Sequence, residues 1–312
     1  MQTSSSFLRR VLSFAIVTAA ILGTLPARGA DKRIVLIAGR PSHPPGMHEF
    51  RAGALLLQKA LSGVPGVKVD VYDMGWPAKE VDGKRVDDST RLDGADAVLI
   101  FADGGKGHPA LQNERTAVID ALEAKGAGLG FAHYAVEVPA GAPGEAMQRW
   151  NGGYYETNWS VNPMWKPSFE TFPNHPITRG VKPFATHDEW YFNMRWPDTF
   201  PAKARMTPLL VAKPSDEVRK GPYVSPRGPY DHIIAATGRD ETMMWAYERP
   251  NGGRSFGFTG GHTHTNWGDP NQRKIMLNAL LWLAKVEVPK NGVADTIAEA
   301  DLAQNLDDKR KR

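Results

Sequence analysis

The segment Gly260–Trp267, with the sequence GGHTHTNW, contains the most chemically informative residues of the chain. It follows an alternating segment, Arg254–Thr259, that predicts a strand, and it precedes a helical periodicity over Gln272–Lys285. Side chains two positions apart on an extended segment point the same way, so His262 and His264 could present two neutral imidazoles to a metal ion or a substrate. The alternative is a tight turn in which both histidines bond loop backbone.

Histidines also follow the other predicted core strands. Because the carboxyl ends of parallel strands meet at one edge of a sheet, these side chains are expected to share one cleft. The six histidines at predicted strand ends are His43, His48, His108, His133, His262 and His264. The acids that accompany them are Glu49, Asp103, Glu137, Asp188 and Glu189. Such a set suits a divalent ion such as Zn²⁺ and equally suits metal-free acid–base catalysis, and no HExxH motif decides between the two.

The elements that must position these histidines can be recognised from short apolar runs and helical periods. The apolar or alternating runs lie over Arg33–Gly39, Val67–Tyr72, Gly94–Phe101 and Gly126–Ala132, and the helical periods over Arg51–Ser62 and Leu111–Lys125. Their alternation predicts an α/β domain over residues 31–289, with a mostly parallel sheet and helices on both faces. The strands at 33–39, 95–101 and 126–132 are expected to be neighbours in that sheet.

Residues 140–240 interrupt the alternation with an insertion rich in Pro, Gly, Trp and Tyr and without a long helical period. We expect residues 140–167 to fold over the strand ends, with Tyr155 or Trp159 towards the ligand. Aromatic rings in polar surroundings stack on sugar rings, or else they form a small core of the insertion itself. After the insertion, Glu248–Arg254 predicts a hairpin turn.

The composition limits the class of protein. A chain of 312 residues with 41% hydrophobic residues can form one large α/β domain, and the lack of cysteine excludes disulfides and thiolate chemistry. Arg9 and Arg10 precede an apolar run at 11–25 and predict a signal peptide over residues 1–30, with the twin-arginine route open. The protein is therefore expected to be periplasmic or secreted, without a membrane anchor after cleavage.

The net charge of the chain does not favour binding to a nucleic acid. The formal net charge is +4, but the leader contributes Arg9, Arg10 and Arg28 and no acid, so the rest of the chain carries 4 − 3 = +1. Residues 290–312 predict a polar C-terminal tail, and its basic end, Lys309–Arg312, is expected to be solvated. A homo-oligomer is compatible with the sequence.

Several motifs together resemble the ThuA-like (trehalose-utilisation) family, and more closely its exported branch in bacteria that degrade complex glycans. The motifs lie within Arg33–Ala284 and read GRPSHPPGMHEF, ADGGKGHP, GLGFAHYAVE, HPITRG, DEWYF and GFTGGHTHTNW followed by LLWLA. The resemblance implies a flavodoxin-like sheet with an extra hairpin, as in class I glutamine amidotransferases. Amidotransferase chemistry is excluded, because the position of its nucleophile reads Gly130–Tyr134 here, without cysteine.

The same resemblance implies a role in sugar catabolism, with a carbohydrate substrate of the 3-keto-glycoside class that a partner oxidoreductase supplies. No nucleotide cofactor is expected. A 3-keto group makes the C2 proton acidic, so a base can remove it while a metal ion or an imidazolium stabilises the enediolate. Elimination then breaks the glycosidic bond, and water can add back.

We predict that His133, His262 and Glu189 form the catalytic centre. The two histidines each end a core strand, and Glu189 lies in a segment that the resemblance marks, so the trio offers two imidazoles and a carboxylate to a divalent ion. Glu189 acts as ligand or base in this prediction. The side chains predicted to contact substrate are His43, His48, Asp103, Tyr134, Tyr155, Trp159, His264 and Trp267.

Two other functions remain open from the sequence. One is a two-carboxylate glycosidase, although Asp188 and Glu189 are adjacent and would face opposite ways on a strand. The other is a non-catalytic carbohydrate-binding or scaffold protein that keeps the fold, which predicts stacking aromatics without a tight metal site.

Overall fold

The central feature of the fold is a seven-stranded sheet, seen in a computed structural model that describes residues 31–197 and 205–309. The predicted leader at residues 1–30 lies outside the described residues. In chain order the elements are β1 (Lys32–Ala38), α1 (Phe50–Leu61), β2 (Val67–Tyr72), β3 (Ala78–Val81), β4 (Lys84–Asp87), β5 (Ala97–Phe101), α2 (Arg115–Ala124), β6 (Gly128–Ala132), α3 (Ala142–Asn151), β7 (Met164–Trp165), β8 (Asp188–Glu189), β9 (Met206–Ala212), α4 (Asp216–Lys220), α5 (Asp231–Ile234), β10 (Glu241–Glu248), β11 (Arg254–Phe258) and α6 (Pro270–Leu283).

The sheet is mostly parallel, in the strand order β2-β1-β5-β6-β11-β10-β9. The first five strands in this order pair parallel to one another, and β10 pairs antiparallel with both β11 and β9. The three strands predicted to be neighbours, β1, β5 and β6, are adjacent and parallel. The predicted fold class is confirmed, as is the hairpin between β10 and β11.

Helices cover both faces of the sheet, because the core strands are apolar on both sides. Ile34 and Leu36 of β1 belong to the hydrophobic cluster that contains α1 and α6, whereas Val35 and Ile37 belong to the cluster that contains α2 and α3. All five residues of β5 are buried. Alternate side chains of one strand thus pack against opposite helical layers, as expected for a parallel sheet inside an α/β protein. The carboxyl ends of the strands remain open at one edge.

Helix α3 and the β3–β4 hairpin are among the elements that were not predicted from the sequence. Helix α3 lies within the insertion, begins with a proline in its first turn and ends at Gly152, which has a φ of +76°. Pro143 and Gly144 interrupt its apolar pattern, so no helical period was visible. The hairpin of β3 and β4 turns at Asp82-Gly83, both with positive φ, which is the conformation that an Asp-Gly pair favours.

The C-terminal residues pack against the loop after β1, so the prediction of a solvated basic end is wrong for Lys309. Its Nζ lies 3.2 Å from Glu49 Oε1, and both side chains are 1% exposed. The backbone N–H of Asp307 donates to Glu49 Oε2 at 2.8 Å. A buried carboxylate requires such partners, which explains why the polar segment is not free in solvent. Within residues 31–197 and 205–309, no helix combines the length and apolar character needed to cross a membrane.

Candidate metal centre

Four buried side chains converge at the open edge of the sheet: His48, His133, Glu189 and His262. His48 ends the loop between β1 and α1, His133 follows β6, Glu189 belongs to β8, and His262 follows β11. One ligand atom from each lies within 4.8 Å of every other. The predicted trio therefore meets in one place, and His48, predicted as a substrate contact, joins it as a fourth potential ligand.

The distances among these atoms match the edges of a small coordination polyhedron. His48 Nε2 lies 2.9 Å from His262 Nδ1 and 3.1 Å from His133 Nε2, and the last two atoms are 3.3 Å apart. Glu189 Oε2 lies 2.7 Å from His262 Nδ1 and 3.7 Å from His133 Nε2. A tetrahedral zinc site with bonds of about 2.0–2.1 Å has ligand–ligand edges of about 3.4 Å. The four side chains can therefore hold one divalent ion after small adjustments.

The outer hydrogen bonds fix which nitrogen of two histidines carries its proton. His133 Nδ1 lies 2.9 Å from the carbonyl oxygen of Thr259, which can only accept, so Nδ1–H donates. His48 Nδ1 lies 2.9 Å from Asp103 Oδ1 and likewise donates when Asp103 is ionised. The Nε2 atoms of His48 and His133 therefore both carry lone pairs and face each other at 3.1 Å. A cation between the two lone pairs stabilises this arrangement.

Burial favours the neutral, metal-binding form of these imidazoles. Burial, together with the neighbouring imidazoles, holds the pKa of His48 and that of His133 well below the usual value. Burial raises the pKa of Glu189, while its hydrogen bond with His262 opposes that rise. Neutral imidazoles and one carboxylate are the ligand set that zinc and related divalent ions accept.

The supporting contacts hold the ligands in place. Asn162 Nδ2 donates to Glu189 Oε1 at 2.8 Å, and the hydroxyl of Tyr191 lies 3.2 Å from His133 Nε2. The Asp188 carboxylate accepts from the backbone N–H groups of Gly261, Thr263 and Glu189 at 2.8, 3.0 and 3.0 Å, whereas the Glu189 carboxylate lies among the imidazoles. The adjacent acids therefore have separate roles, because Asp188 shapes the turn that carries His262.

Two of the four ligands sit in a backbone conformation that favours glycine. The φ of His48 is +48° and that of His133 is +54°. A side-chain-bearing residue in this region costs about 1–3 kcal/mol and is concentrated at functional sites. The backbone N–H of His48 donates to the carbonyl of His262 at 2.9 Å, so the two loops support each other.

A cavity of about 150 Å³ opens above the cluster. Its lining residues come from the strand-end loops and from the insertion, and they are His43, His48, Tyr134, Glu137, Thr157, Asn162, Glu189, Tyr191 and Val224 to Pro226. Thr157 and Asn162 confirm that the segment 140–167 contributes a wall of the cleft. The cavity is smaller than the roughly 300–1,000 Å³ of sites for drug-sized ligands, so it has room for about one sugar ring.

Four predicted substrate contacts lie elsewhere. His264 turns away from the cluster, and its Nε2 donates to the carbonyl of Leu302 at 3.1 Å. Trp267 is 1% exposed and packs between aromatic residues of the core. Trp159 stacks on His232, with Arg195 on its ring. Tyr155 is fully buried against Tyr191 and supports the wall from behind.

The remaining histidines at this edge are of two kinds. His43 is partly exposed and stacks on His48 with ring centroids 3.5 Å apart, so it stays at the cavity. His108 is fully buried and structural, because its Nε2 donates to the carbonyl of Ala135 and its Nδ1 accepts from the N–H of Ala110. Asp103 and Tyr134 are close to the cluster as predicted, and Asp103 orients His48.

Fold and site together define an α/β protein that carries a buried histidine–glutamate centre at the carboxyl edge of its sheet. The sequence matches the family model described as ThuA, trehalose utilisation, over residues 67–283. The chain belongs to the ThuA family, which confirms the resemblance seen in the motifs and gives it a role related to sugar catabolism.

Solved structures support the fold. A ThuA-like protein from Bacteroides uniformis superimposes with a TM-score of 0.56 at 14% identity, over 82% of this chain and 92% of the other. A ThuA-like protein from Parabacteroides merdae gives a TM-score of 0.51 at 17% identity, over 87% of this chain and 99% of the other. At these identities the likeness concerns the fold alone. Comparison with curated proteins found no match.

Proposed function

We propose that this protein is a metal-dependent enzyme of sugar catabolism that acts on 3-keto-glycosides. The observation that carries the proposal is the convergence of His48, His133, His262 and Glu189 beneath a cavity with room for about one sugar ring. Family membership supports the assignment of a sugar as the substrate. The predicted leader is the basis for proposing that the protein acts after export, and an oxidoreductase that forms the 3-keto group is the proposed partner in the pathway.

The chemistry of the substrate fits the arrangement of the site. Removal of the C2 proton next to a C3 ketone places negative charge on the ketone oxygen, and a divalent ion, when bound, would supply positive charge for that oxygen. His48, His133 and His262 would hold the ion with nitrogen ligands, and Glu189 would hold it with its carboxylate. The electron pair from C2 then forms a C1–C2 double bond as the glycosidic C1–O bond breaks, and the leaving oxygen takes a proton from water.

The test compares an oxidised substrate with its unoxidised parent. The mature chain is purified and loaded with Zn²⁺ or Mn²⁺, and its metal content is measured by elemental analysis. The loaded protein is then incubated separately with 3-keto-trehalose and with trehalose. We expect one metal ion per chain and cleavage of the 3-keto compound only. Cleavage of both at similar rates would favour a two-carboxylate glycosidase instead.

A non-catalytic carbohydrate-binding protein is the second candidate function. It predicts sugar-stacking aromatics at the cleft, where Tyr134 and Tyr191 line the cavity, while Trp159 and Trp267 lie elsewhere in the structure. Saturable binding of the sugars, with no bound metal and no cleavage, would establish this function. It would overturn the proposal that the protein is an enzyme.

A further inference from the structure

The cavity contains a second carboxylate, that of Glu137, which the metal centre does not use. Among the described residues that line the cavity, only Glu137 and Glu189 are acidic, and none is Lys or Arg. Both oxygens of Glu189 are engaged, since Oε1 accepts from Asn162 and Oε2 lies among the imidazole nitrogens. Glu189 therefore has the contacts of a ligand, and Glu137 is the acid left for proton transfer.

The backbone around Glu137 is held firmly. Its N–H donates to the carbonyl of Tyr134 at 2.9 Å, and its own carbonyl accepts from the N–H of Gly105 at 2.9 Å. A parallel bridge with Tyr155 joins it to the insertion. The residue comes directly after the turn that carries His133, so Glu137 and one potential metal ligand are positioned by the same strand end.

The side chain of Glu137 is buried, and none of the described residues forms an ion pair with it. It is 9% exposed, and Oε1 accepts from the hydroxyl of Thr157 at 2.9 Å. Oε2 has no hydrogen-bond partner in the part of the chain that the structure describes. Buried acids that serve stability alone are normally paired with a cation or fully hydrogen-bonded. An oxygen left free towards a cavity is instead available to a ligand.

The surroundings make this carboxylate a stronger base than an exposed one. Burial raises the pKa of Glu137 to about 7, the charge of Glu189 adds to the rise, and the hydrogen bond from Thr157 opposes it. The imidazoles of His43 and His48 line the same cavity. The phenols of Tyr134, Tyr155 and Tyr191 also lie near Glu137, and burial raises their pKa values, so they stay neutral at physiological pH. A general base is most effective when its pKa lies near the working pH.

We propose that Glu137 is the catalytic base that removes the C2 proton of the 3-keto sugar, an inference that rests on the proposed function. The C2–H bond breaks, the proton moves to Oε2 of Glu137, and the electron pair moves into the C2–C3 bond as the ketone oxygen becomes negative. The reverse step returns a proton to C2. No oxidant or reductant is needed, because the carbon that bears the ketone is already oxidised in the substrate.

Solvent exchange tests this step separately from bond cleavage. Protein loaded with Zn²⁺ is incubated with 3-keto-glucose in D₂O, and deuterium at C2 is followed by proton NMR, against a no-protein rate. We expect rapid exchange with the wild type and a loss of about 10²–10⁴-fold in Glu137→Gln. Metal content and the unfolding temperature of this variant should equal those of the wild type, and Glu137→Asp should recover part of the rate.

A matched variant and the wild type separate the possible failures. Glu145→Gln removes the charge of an exposed carboxylate on α3 that does not line the cavity, so it should exchange C2 at the wild-type rate. Exchange by Glu137→Gln at the wild-type rate would overturn the assignment of the base and leave the proposed function standing. Loaded wild type that neither exchanges C2 nor cleaves 3-keto-trehalose would overturn the proposed function and this assignment with it.

Discussion

The imidazole of His48 is hydrogen-bonded to the carboxylate of Asp103, with 2.9 Å between Nδ1 and Oδ1, and its opposite nitrogen points into the ligand cluster. This carboxylate–histidine pair has the geometry that orients imidazole ligands in metal sites. Asp103 accepts in addition from the hydroxyl of Ser42 at 2.9 Å. The pair fixes both the ring of His48 and the position of its proton.

We expect Asp103→Asn to lower the metal affinity about 10- to 100-fold, because an amide no longer enforces the Nδ1–H form of His48. Competition between the protein and a chromogenic chelator for Zn²⁺ measures the change. Ser42→Ala, which leaves the carboxylate in place, is the control and should change the affinity much less. An affinity in Asp103→Asn equal to that of the wild type would argue against a ligand role for His48.

The turn Gly260–His264, with the sequence GGHTH, contains two histidines that give a matched pair of variants. His262→Ala should abolish stoichiometric metal binding and activity on a 3-keto-glycoside, while the unfolding temperature of the metal-free protein stays nearly unchanged. His264→Ala removes a buried side chain that bonds Leu302 and lies outside the ligand cluster, so it should keep both metal and activity. Full activity in His262→Ala would show that this residue serves the turn alone.

Metal binding should raise the stability of the folded protein, because it relieves the convergence of imidazole lone pairs at the centre. Free Zn²⁺ at 100 times its dissociation constant stabilises a protein by about 2.7 kcal/mol if only the native state binds it. Thermal unfolding with and without Zn²⁺, after treatment with chelator, measures the shift. The shift should vanish in His262→Ala, and an equal shift in that variant would place the ion elsewhere.

The buried His108 predicts a loss of stability in acid. Burial lowers its pKa to about 4, whereas the unfolded chain has the ordinary value near 6.5, so the unfolded state binds more protons between these values. The contribution of His108 to the free energy of unfolding is therefore fully present above pH 6.5. It declines by up to about 3 kcal/mol as the pH falls to 4. Urea unfolding at several pH values should show a shallower decline in His108→Gln than in the wild type. Parallel declines in the two proteins would exclude this histidine as a source of acid sensitivity.

The buried pair of Lys309 and Glu49 predicts that the C-terminal residues stabilise the loop that carries His48. Lys309→Met leaves an unpaired buried carboxylate and should cost about 3–5 kcal/mol of unfolding free energy, with weaker metal binding. Lys32→Met, which breaks a partly exposed pair with Asp96, is the control and should cost about 1 kcal/mol or less. Equal effects of the two substitutions would mean that the tail does not support the site.

The fold and the general location of the site follow from local sequence. Continuous apolar runs such as Ile34–Ala38 can only be buried on both faces, which dictates a parallel sheet covered by helices. Histidines after β6 and β11 must then reach the same edge, so His133 and His262 could be placed together before any coordinates. Family motifs added Glu189 to this pair.

The assignment of individual roles required the tertiary structure. His48 lies ten residues beyond the end of β1, and only the pairing of its loop with the GGHTH turn brings its Nε2 to the cluster. His262 and His264 separate because the extended segment ends at His264, where a 3-10 helix over His264–Gly268 begins, and because Asp188 holds the N–H of the intervening Thr263. An extended segment would have kept the two rings on one side. The sequence by itself thus determined which edge carries the chemistry. The long-range hydrogen bonds decided which side chains meet there, since contacts between residues far apart in the chain leave no local pattern.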